Sequence, residues 1–408
     1  MKKKNLFYAS LMALGMTFAF TSCGDDNNTS AAGGGEGGGS AATEEEVAQN
    51  LDYSADLSKQ WGNYAYNVAM LLQEDANSLY DAWNTSYEGG DAFADQFKNH
   101  SSSSGYTSAK NCVEEIFAGC RTIASEVGTA KIGEPVDYWT QGQTNKALYA
   151  VESWYSWHSR DDYKNNILSI ANSFLGTRLD NSSLSESMSS QAQANSLYAV
   201  CSANSALSAQ TATVWKNICA AWKAIDDIPQ PFRNNIGSAE AKTAMDACAK
   251  LEQSLAVLQA QVQDKLEESE CQSIVNQYVD EVVLPTYSEL KTKVTTLLDK
   301  VSAFQKSPSN AAFEAMATAW LDAREPWESS EAFLFGPVSK LGLDPNMDSW
   351  PLDVVGIYNL LKTQKWSDMQ WTGNYDEEDT AIEAAQSVRG FHTLEYLIFK
   401  NGEARKVE

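Results

Sequence analysis

Apolar residues recur at helical spacing along most of the chain. One clear example is a stripe on a single face of an amphipathic helix, formed by Leu251, Leu255, Leu258, Val262 and Leu266. Ala-rich polar stretches such as 191–210 also favour helix, and we find no convincing run of alternating strand residues. The pattern therefore predicts an all-α protein.

Loops rich in glycine, proline and serine separate the helical segments. The pattern predicts helices at 44–84, 107–130, 143–157, 160–176, 184–226, 238–267, 271–305, 308–334, 350–363 and 376–400. So many helices exceed one simple bundle, and the length favours two domains. We expect two packed helical bundles, 44–267 and 268–408, divided near the charged stretch 264–270. Pro285 predicts a kink or a new helix start within 271–305.

The N-terminal region departs from this helical pattern. Three lysines precede a predominantly apolar segment, 6–20, which is shorter than the roughly 20 residues that span a bilayer and is typical of a signal peptide. Small or polar residues before Cys23 indicate a lipoprotein signal at residues 1–22, with Cys23 acylated after cleavage. An ordinary signal peptide with an incidental cysteine is the alternative. The Gly-rich segment 23–43 predicts a flexible tether.

These features predict a protein of the cell envelope whose membrane contact is the lipid on Cys23. We expect it at the outer membrane, on the periplasmic face or at the cell surface. The chain has 54 acidic and 30 basic residues, a net charge of −24. Such a surface repels nucleic acid and tolerates cations, so we expect no nucleic-acid partner. Solubility of an exposed surface protein is the favoured explanation for most of this charge.

Histidine is scarce, which narrows the search for a metal or catalytic site. His392 and Glu395 lie three residues apart, so they project from one helix face. An imidazole nitrogen and a carboxylate oxygen placed in this way can hold a cation, and Gly390 would let a neighbouring segment approach closely. A local hydrogen-bonded pair is the simpler interpretation. The sequence contains no zincin, nucleophile-elbow or phosphate-loop motif.

A second group of charged residues lies among aromatic side chains in segment 320–337. Arg324, Glu328 and Glu331 follow at i, i+4 and i+7, on one helix face. Four tryptophan and phenylalanine residues flank them, which predicts partial burial, and buried charges need partners or a metal. A surface ion pair on an ordinary helix is the alternative.

Three motifs follow one another in the C-terminal third of the chain. They are Trp320…Arg324…EAFLFGP at 331–337, DSWPLD at 348–353 and Gly390-x-His392-x-x-Glu395. In this order, they resemble the motifs of the imelysin family. The resemblance implies two packed helical bundles with a site at their interface around GxHxxE. It assigns Gly390, His392 and Glu395 to that site, together with Arg324 and Glu331. As ligands, His392, Glu395 and Glu331 would offer one nitrogen and two carboxylate oxygens, a set suited to a divalent metal such as Fe, Zn or Mn.

Segment 152–162 resembles an imelysin segment that normally lies downstream of the GxHxxE half. The matching residues are Glu152, Ser153, Ser156 and Asp162. We therefore expect a circular permutation, with the family's second bundle at 44–267 and its first at 268–408. These four residues should then face His392 across the interface. A helix N-terminus capped by Ser159 is the alternative.

Three functions are compatible with these motifs. The first is binding of a metal ion or metal complex in envelope iron or metal handling. The second is a metallopeptidase with its metal at His392 and Glu395, which the family name implies and the lack of a peptidase motif opposes, so whether the protein is an enzyme stays open. The third is a non-enzymatic surface module for a glycan, haem or protein. A purely structural role for His392, joining the two bundles, is a further alternative.

Overall fold

The computed structural model describes residues 42–100 and 105–407. The predicted signal peptide, Cys23 and nearly all of the predicted tether lie outside the described residues, so the lipid anchor stays a prediction. The segment Glu44–Glu408 forms one compact unit. Among its described helices, none has the length and apolar character needed to cross a membrane.

Helices are nearly the only regular secondary structure among the described residues, which confirms the all-α prediction. A two-residue antiparallel pair, β1 (Phe399–Lys400) and β2 (Glu403–Ala404), follows the last helix. The α-helices are α1 Glu44–Gln49, α2 Ser58–Asn84, α3 Phe93–Lys98, α4 Ala109–Glu126, α5 Gly133–Thr140, α6 Thr144–Ala150, α7 Ser159–Leu175, α8 Leu197–Ala203, α9 Ser208–Asp226, α10 Ala239–Lys265, α11 Glu268–Tyr278, α12 Leu284–Lys306, α13 Asn310–Glu328, α14 Pro337–Lys340, α15 Leu343–Asp348, α16 Val354–Thr363, α17 Thr380–Gln386 and α18 Gly390–Ile398.

Turns divide several of the predicted helices. The predicted helix 184–226 consists of a 3-10 segment, Glu186–Gln191, followed by α8 and α9. A π-helical turn, Val279–Val283, interrupts the predicted helix 271–305 just before Pro285. Proline lacks an N–H and suits the first turn of a helix, which is its position in α12.

The helices pack around one continuous apolar core. Helix α2 lies along α12, α12 lies along α13, and α10 packs against both α4 and α9. The apolar face of α2 buries large side chains completely, including Trp61, Tyr64 and Trp83. Because α2 precedes the predicted boundary at 267/268 and its main partner α12 follows it, the core crosses that point in the sequence. The division into two domains there stays a prediction.

The six described cysteines belong to this core. All are buried and none forms a disulfide among the described residues. Cysteine in such surroundings acts as a small apolar side chain. Burial raises the pKa of each thiol, for example to about 12 at Cys248, so these thiols are protonated and inert at neutral pH.

Backbone conformation brings α15 and α18 into direct contact. Gly390, the first residue of α18, has a φ of +85°. A Cβ at this position would lie only 2.4 Å from the carbonyl oxygen of Met347. Glycine alone combines this φ with this approach, so it allows α18 to begin against the backbone of α15. The close neighbour expected from Gly390 is therefore the 346–347 backbone.

Candidate metal centre

His392, in the first turn of α18, lies in a buried cluster of charged groups. Its side chain is fully buried. Nδ1 lies 3.0 Å from Oε2 of Glu395, while Nε2 lies 3.1 Å from Oδ1 of Asp348 and 3.3 Å from Oε1 of Glu152. Carboxylates therefore flank both ring nitrogens, and they come from three separate segments of the chain.

Glu395 supports the imidazole from the side opposite Asp348. One of its oxygens accepts hydrogen bonds from the backbone N–H and the hydroxyl of Ser156, both at 2.8 Å. The other oxygen faces Nδ1 of His392. Both oxygens are thus engaged, and the contact fixes the ring orientation, as carboxylates do behind metal-bound histidines. This geometry suits a supporting role better than the ligand role predicted for Glu395.

Arg324 supplies a buried cation at the centre of the cluster. Its guanidinium pairs with carboxylates that come from α7, α13, α15 and the turn before α7. They are Glu152 at 3.1 Å, Glu328 at 2.5 Å, Asp162 at 3.4 Å and Asp348. The expected i, i+4 contact between Arg324 and Glu328 is present, and both side chains are fully buried. The alternative of a surface ion pair is therefore wrong.

Lys131 supplies a second cation, which contacts both Glu152 and Glu331. It ends a π-helical turn, Val127–Lys131, a distortion that is frequent at functional sites. Its Nζ lies 3.0 Å from Glu152 and 3.9 Å from Glu331. Glu331, predicted as a ligand together with His392, therefore lies beside Lys131.

The ligand atoms that lie together differ from the predicted trio of His392, Glu395 and Glu331. One atom each from Glu152, Asp348 and His392 lie within 4.8 Å of one another, and a second such group comprises Glu328, Glu331 and Asp348. Asp348 belongs to both groups. In the sequence, Asp348 stands out only as the first residue of the DSWPLD motif and Lys131 belongs to no motif, because neither residue is at helical spacing from a histidine.

The segment 152–162 lies against the same cluster. Glu152 and Ser156 touch His392 and Glu395 directly. Ser153 donates a hydrogen bond to Oδ2 of Asp162 at 2.5 Å, and this oxygen also faces Arg324. The four residues of this segment named from the sequence are thus brought together around α18. Oδ1 of Asp162 is buried without a hydrogen-bond partner.

Burial and pairing divide the carboxyl groups into two kinds. Burial would raise the pKa of Glu152, but Lys131 and the hydrogen bond with His392 outweigh it and lower the pKa to about 2. Burial raises the pKa of Glu328 to about 8 although Arg324 opposes this. Burial and the nearby Asp348 raise the pKa of Asp344 to about 7. Protons therefore neutralise part of the acidic excess at neutral pH.

The carboxylates around His392 favour the protonated form of its imidazole. Burial and the Arg324 guanidinium disfavour the charged ring, but Asp348 and Glu152 outweigh them and hold the pKa of His392 well above its usual range. For Asp348, burial opposes ionisation, while Arg324 and His392 favour it and keep its pKa well below the usual range. A cation at Nε2 must therefore displace a proton.

Comparisons with known proteins agree on one family. The imelysin family model matches residues 37–258 and 283–408. The crystal structure of an imelysin peptidase from Bacteroides ovatus is 51% identical, with a TM-score of 0.83 over 88% of this chain and 100% of that chain. Iron-regulated protein A from Synechococcus elongatus is 36% identical over 122 residues, which is 30% of this chain and 30% of that protein.

The chain thus spans about a third of the length of that curated relative. The circular permutation expected for the two halves of the chain stays a prediction. The long match to the family model and the close similarity to a solved imelysin together establish the relationship. The chain belongs to the imelysin family.

Proposed function

We propose that the cluster binds a metal cation through Nε2 of His392 and the carboxylates of Glu152 and Asp348, in iron or other metal handling at the cell envelope. The observation that carries this proposal is the placement of these three atoms within 4.8 Å of one another. One imidazole nitrogen and two carboxylate oxygens suit Fe, Zn or Mn. The name of the relative, iron-regulated protein A, favours iron among these. The lipid anchor expected at Cys23 supports the envelope location.

The cluster holds more acidic than basic groups, so a bound cation could replace some of the protons that neutralise this excess. The three basic groups are Arg324, Lys131 and His392. The acidic groups are Glu126, Glu152, Asp162, Glu328, Glu331, Asp344, Asp348 and Glu395. Buried charge of one sign is costly unless it is paired or coordinates a metal. Arg324 sets a condition, because its guanidinium pairs with Glu152 and Asp348 and its Nη2 lies 3.3 Å from Nε2 of His392, so it must yield part of these contacts when a cation binds.

Calorimetric titration of chelator-treated protein with Fe²⁺, Zn²⁺ and Mn²⁺ tests the proposal. We expect His392→Gln to weaken binding by at least about 100-fold, because loss of a group that merely supports a ligand already costs about 10–100-fold. His100→Gln is the matched control. His100 follows α3, so this substitution removes an imidazole that lies outside the cluster. Equal titration curves for His392→Gln and the wild type would remove the proposed site.

Cation binding should release protons and strengthen as the pH rises. His392 is a proposed ligand with a pKa well above its usual range, and Glu328, which pairs with Arg324 beside the ligands, has a pKa of about 8, so both favour their protonated forms near neutral pH. Lowering the pH favours the protonated ligands and so weakens binding. Titrations in buffers with different ionisation heats should show release of about one proton or more per ion. Heats that do not depend on the buffer would contradict protonation of Nε2.

A metallopeptidase is the second candidate, because the similar Bacteroides ovatus protein is described as an imelysin peptidase. Hydrolysis needs a metal with an open position for water and access for the peptide. His392 and Arg324 are fully buried, so a peptide would reach them only after covering segments move. Cleavage of insulin chains or casein with added Zn²⁺, abolished by His392→Gln, would favour this candidate.

The third expectation, a surface module for a glycan, haem or protein, makes the opposite prediction for the same variant. Ligand binding would then survive His392→Gln, since the ligand would contact the surface and His392 is buried. If the role of His392 is purely structural, its substitution should lower the free energy of unfolding and leave all cation titrations unchanged. Cation titration, peptide cleavage and urea unfolding of His392→Gln, each compared with His100→Gln, therefore distinguish these functions.

A further inference from the structure

A second buried polar cluster lies where α2, α15 and α18 meet, apart from the group around His392. Asp75 of α2 is at its centre. Oδ1 of Asp75 accepts a hydrogen bond from Nδ2 of Asn346 at 3.1 Å, and Oδ2 pairs with the guanidinium of Arg389. These three residues are at most 8% exposed. A single carboxylate therefore ties α2 to the segments that carry Asn346 and Arg389.

Both partners of Asp75 are close in sequence to proposed metal ligands. Asn346 lies two residues before Asp348, and Arg389 lies three residues before His392. Between them, the backbones of α15 and α18 touch at Gly390. A shift of α15 along α18 would change the separation of Asp348 and His392, and it would also break the contacts of Asp75.

Further hydrogen bonds orient the two partners. Oδ1 of Asn346 accepts from Nε1 of Trp371 at 2.9 Å and from Nε2 of Gln386 at 3.0 Å. Arg389 also donates to the backbone oxygen of Met369 at 3.1 Å. The amide and the guanidinium each have other partners that hold them toward Asp75. In some proteins, buried polar contacts of this kind fix the register of packed elements.

We propose that Asp75 is a positioning residue that sets the separation of Asp348 and His392 through Asn346 and Arg389. This inference rests on the proposed function, because that separation matters for a cation held by both side chains. Metal ligands must be kept within about 0.5 Å of their productive positions. Asp75 itself touches neither ligand, so any effect of its substitution must pass through α15 and α18.

Asp75→Asn tests the proposal, since it keeps the volume and removes the charge that faces Arg389. We expect the affinity of this variant for Zn²⁺ to fall at least about tenfold, which is the lower end of the loss caused by removing a group that supports a metal ligand. Circular dichroism should show a fully folded protein at 25 °C. Asp52→Asn is the matched control, because Asp52 pairs with another arginine, Arg405, outside the cluster. Its Zn²⁺ affinity should equal that of the wild type. A wild-type affinity in Asp75→Asn would overturn the proposal.

A double substitution tests whether the effect passes through the ligand. In an Asp348→Asn background, Asp75→Asn should weaken Zn²⁺ binding by far less than in the wild type, since the side chain that it positions has already lost its charge. Residues that act through one another give such non-additive losses. Fully additive losses would show that Asp75 acts elsewhere.

A measurement without metal separates this inference from the proposed function. The imidazole ¹⁵N signals of His392, identified by their loss in His392→Gln, report its contact with Asp348. They should shift in Asp75→Asn and stay unchanged in Asp52→Asn. If the wild type binds no cation, the proposed function fails, and unchanged His392 signals in Asp75→Asn would overturn the positioning role independently. If Asp75→Asn does not fold, Asn346→Ser, which retains the pair of Asp75 and Arg389, takes its place with the same expected outcomes.

Discussion

Replacing Arg324 by glutamine will lower the free energy of unfolding by about 3–5 kcal/mol, the usual result of removing one partner from a buried ion pair. Arg324 is fully buried and pairs with Glu152, Asp162, Glu328 and Asp348. Its loss leaves these carboxyl groups without their central cation. Unfolding by urea, followed by circular dichroism in the presence of a chelator, measures the change.

The matched control is Arg121→Gln. Arg121 pairs with Glu252 at 2.7 Å, but both side chains are about one-third exposed. Ion pairs at such positions contribute about 0–1 kcal/mol, so this variant should remain close to the wild type. Similar losses from both variants would mean that the buried cluster contributes no more than a surface pair.

The same variant also distinguishes a metal centre from a purely structural network. The guanidinium of Arg324 shares Glu152 and Asp348 with the proposed cation, so its removal should free these ligands. A bound cation stabilises the folded state according to its affinity and concentration. Saturating Zn²⁺ should therefore stabilise Arg324→Gln more than the wild type. No added stabilisation in either protein would favour the structural role for His392.

Gly390→Ala should cost about 3 kcal/mol or more of unfolding free energy. Part of this cost is conformational, because an alanine at a φ of +85° is strained by about 1–3 kcal/mol. The rest is steric, because its Cβ would lie 2.4 Å from the carbonyl oxygen of Met347, and overpacking in a buried site typically costs a further 1–3 kcal/mol, roughly. Urea unfolding measures the sum, and zinc titration should show weaker binding as His392 moves away from Asp348.

Gly142→Ala separates the two contributions. Gly142 has a similar φ of +76°, and no atom lies within 4 Å of the position of its added Cβ. This variant should therefore show only the conformational cost. Equal losses at Gly142 and Gly390 would indicate that α15 moves aside without cost, and the contact between α15 and α18 would then not hold the ligands in place.

Local geometry is what the sequence could predict. The helical stripe from Leu251 to Val262 falls on one buried face because an α-helix has a fixed period. For the same reason His392 and Glu395, three residues apart, touch each other, and so do Arg324 and Glu328, four apart. Several predicted helices were too long, because 3-10 and π turns interrupt them without a strong residue signal.

Only the tertiary structure decided which groups face Nε2 of His392. By itself, the sequence determined an all-helical chain, the local His392–Glu395 pair and, through its motifs, the family. Packing selected Glu152 and Asp348 as neighbours of Nε2 and placed Glu331 beside Lys131. The physical reason is that spacing along one helix determines which side chains share a face, whereas the faces that meet depend on the burial of apolar surface throughout the chain.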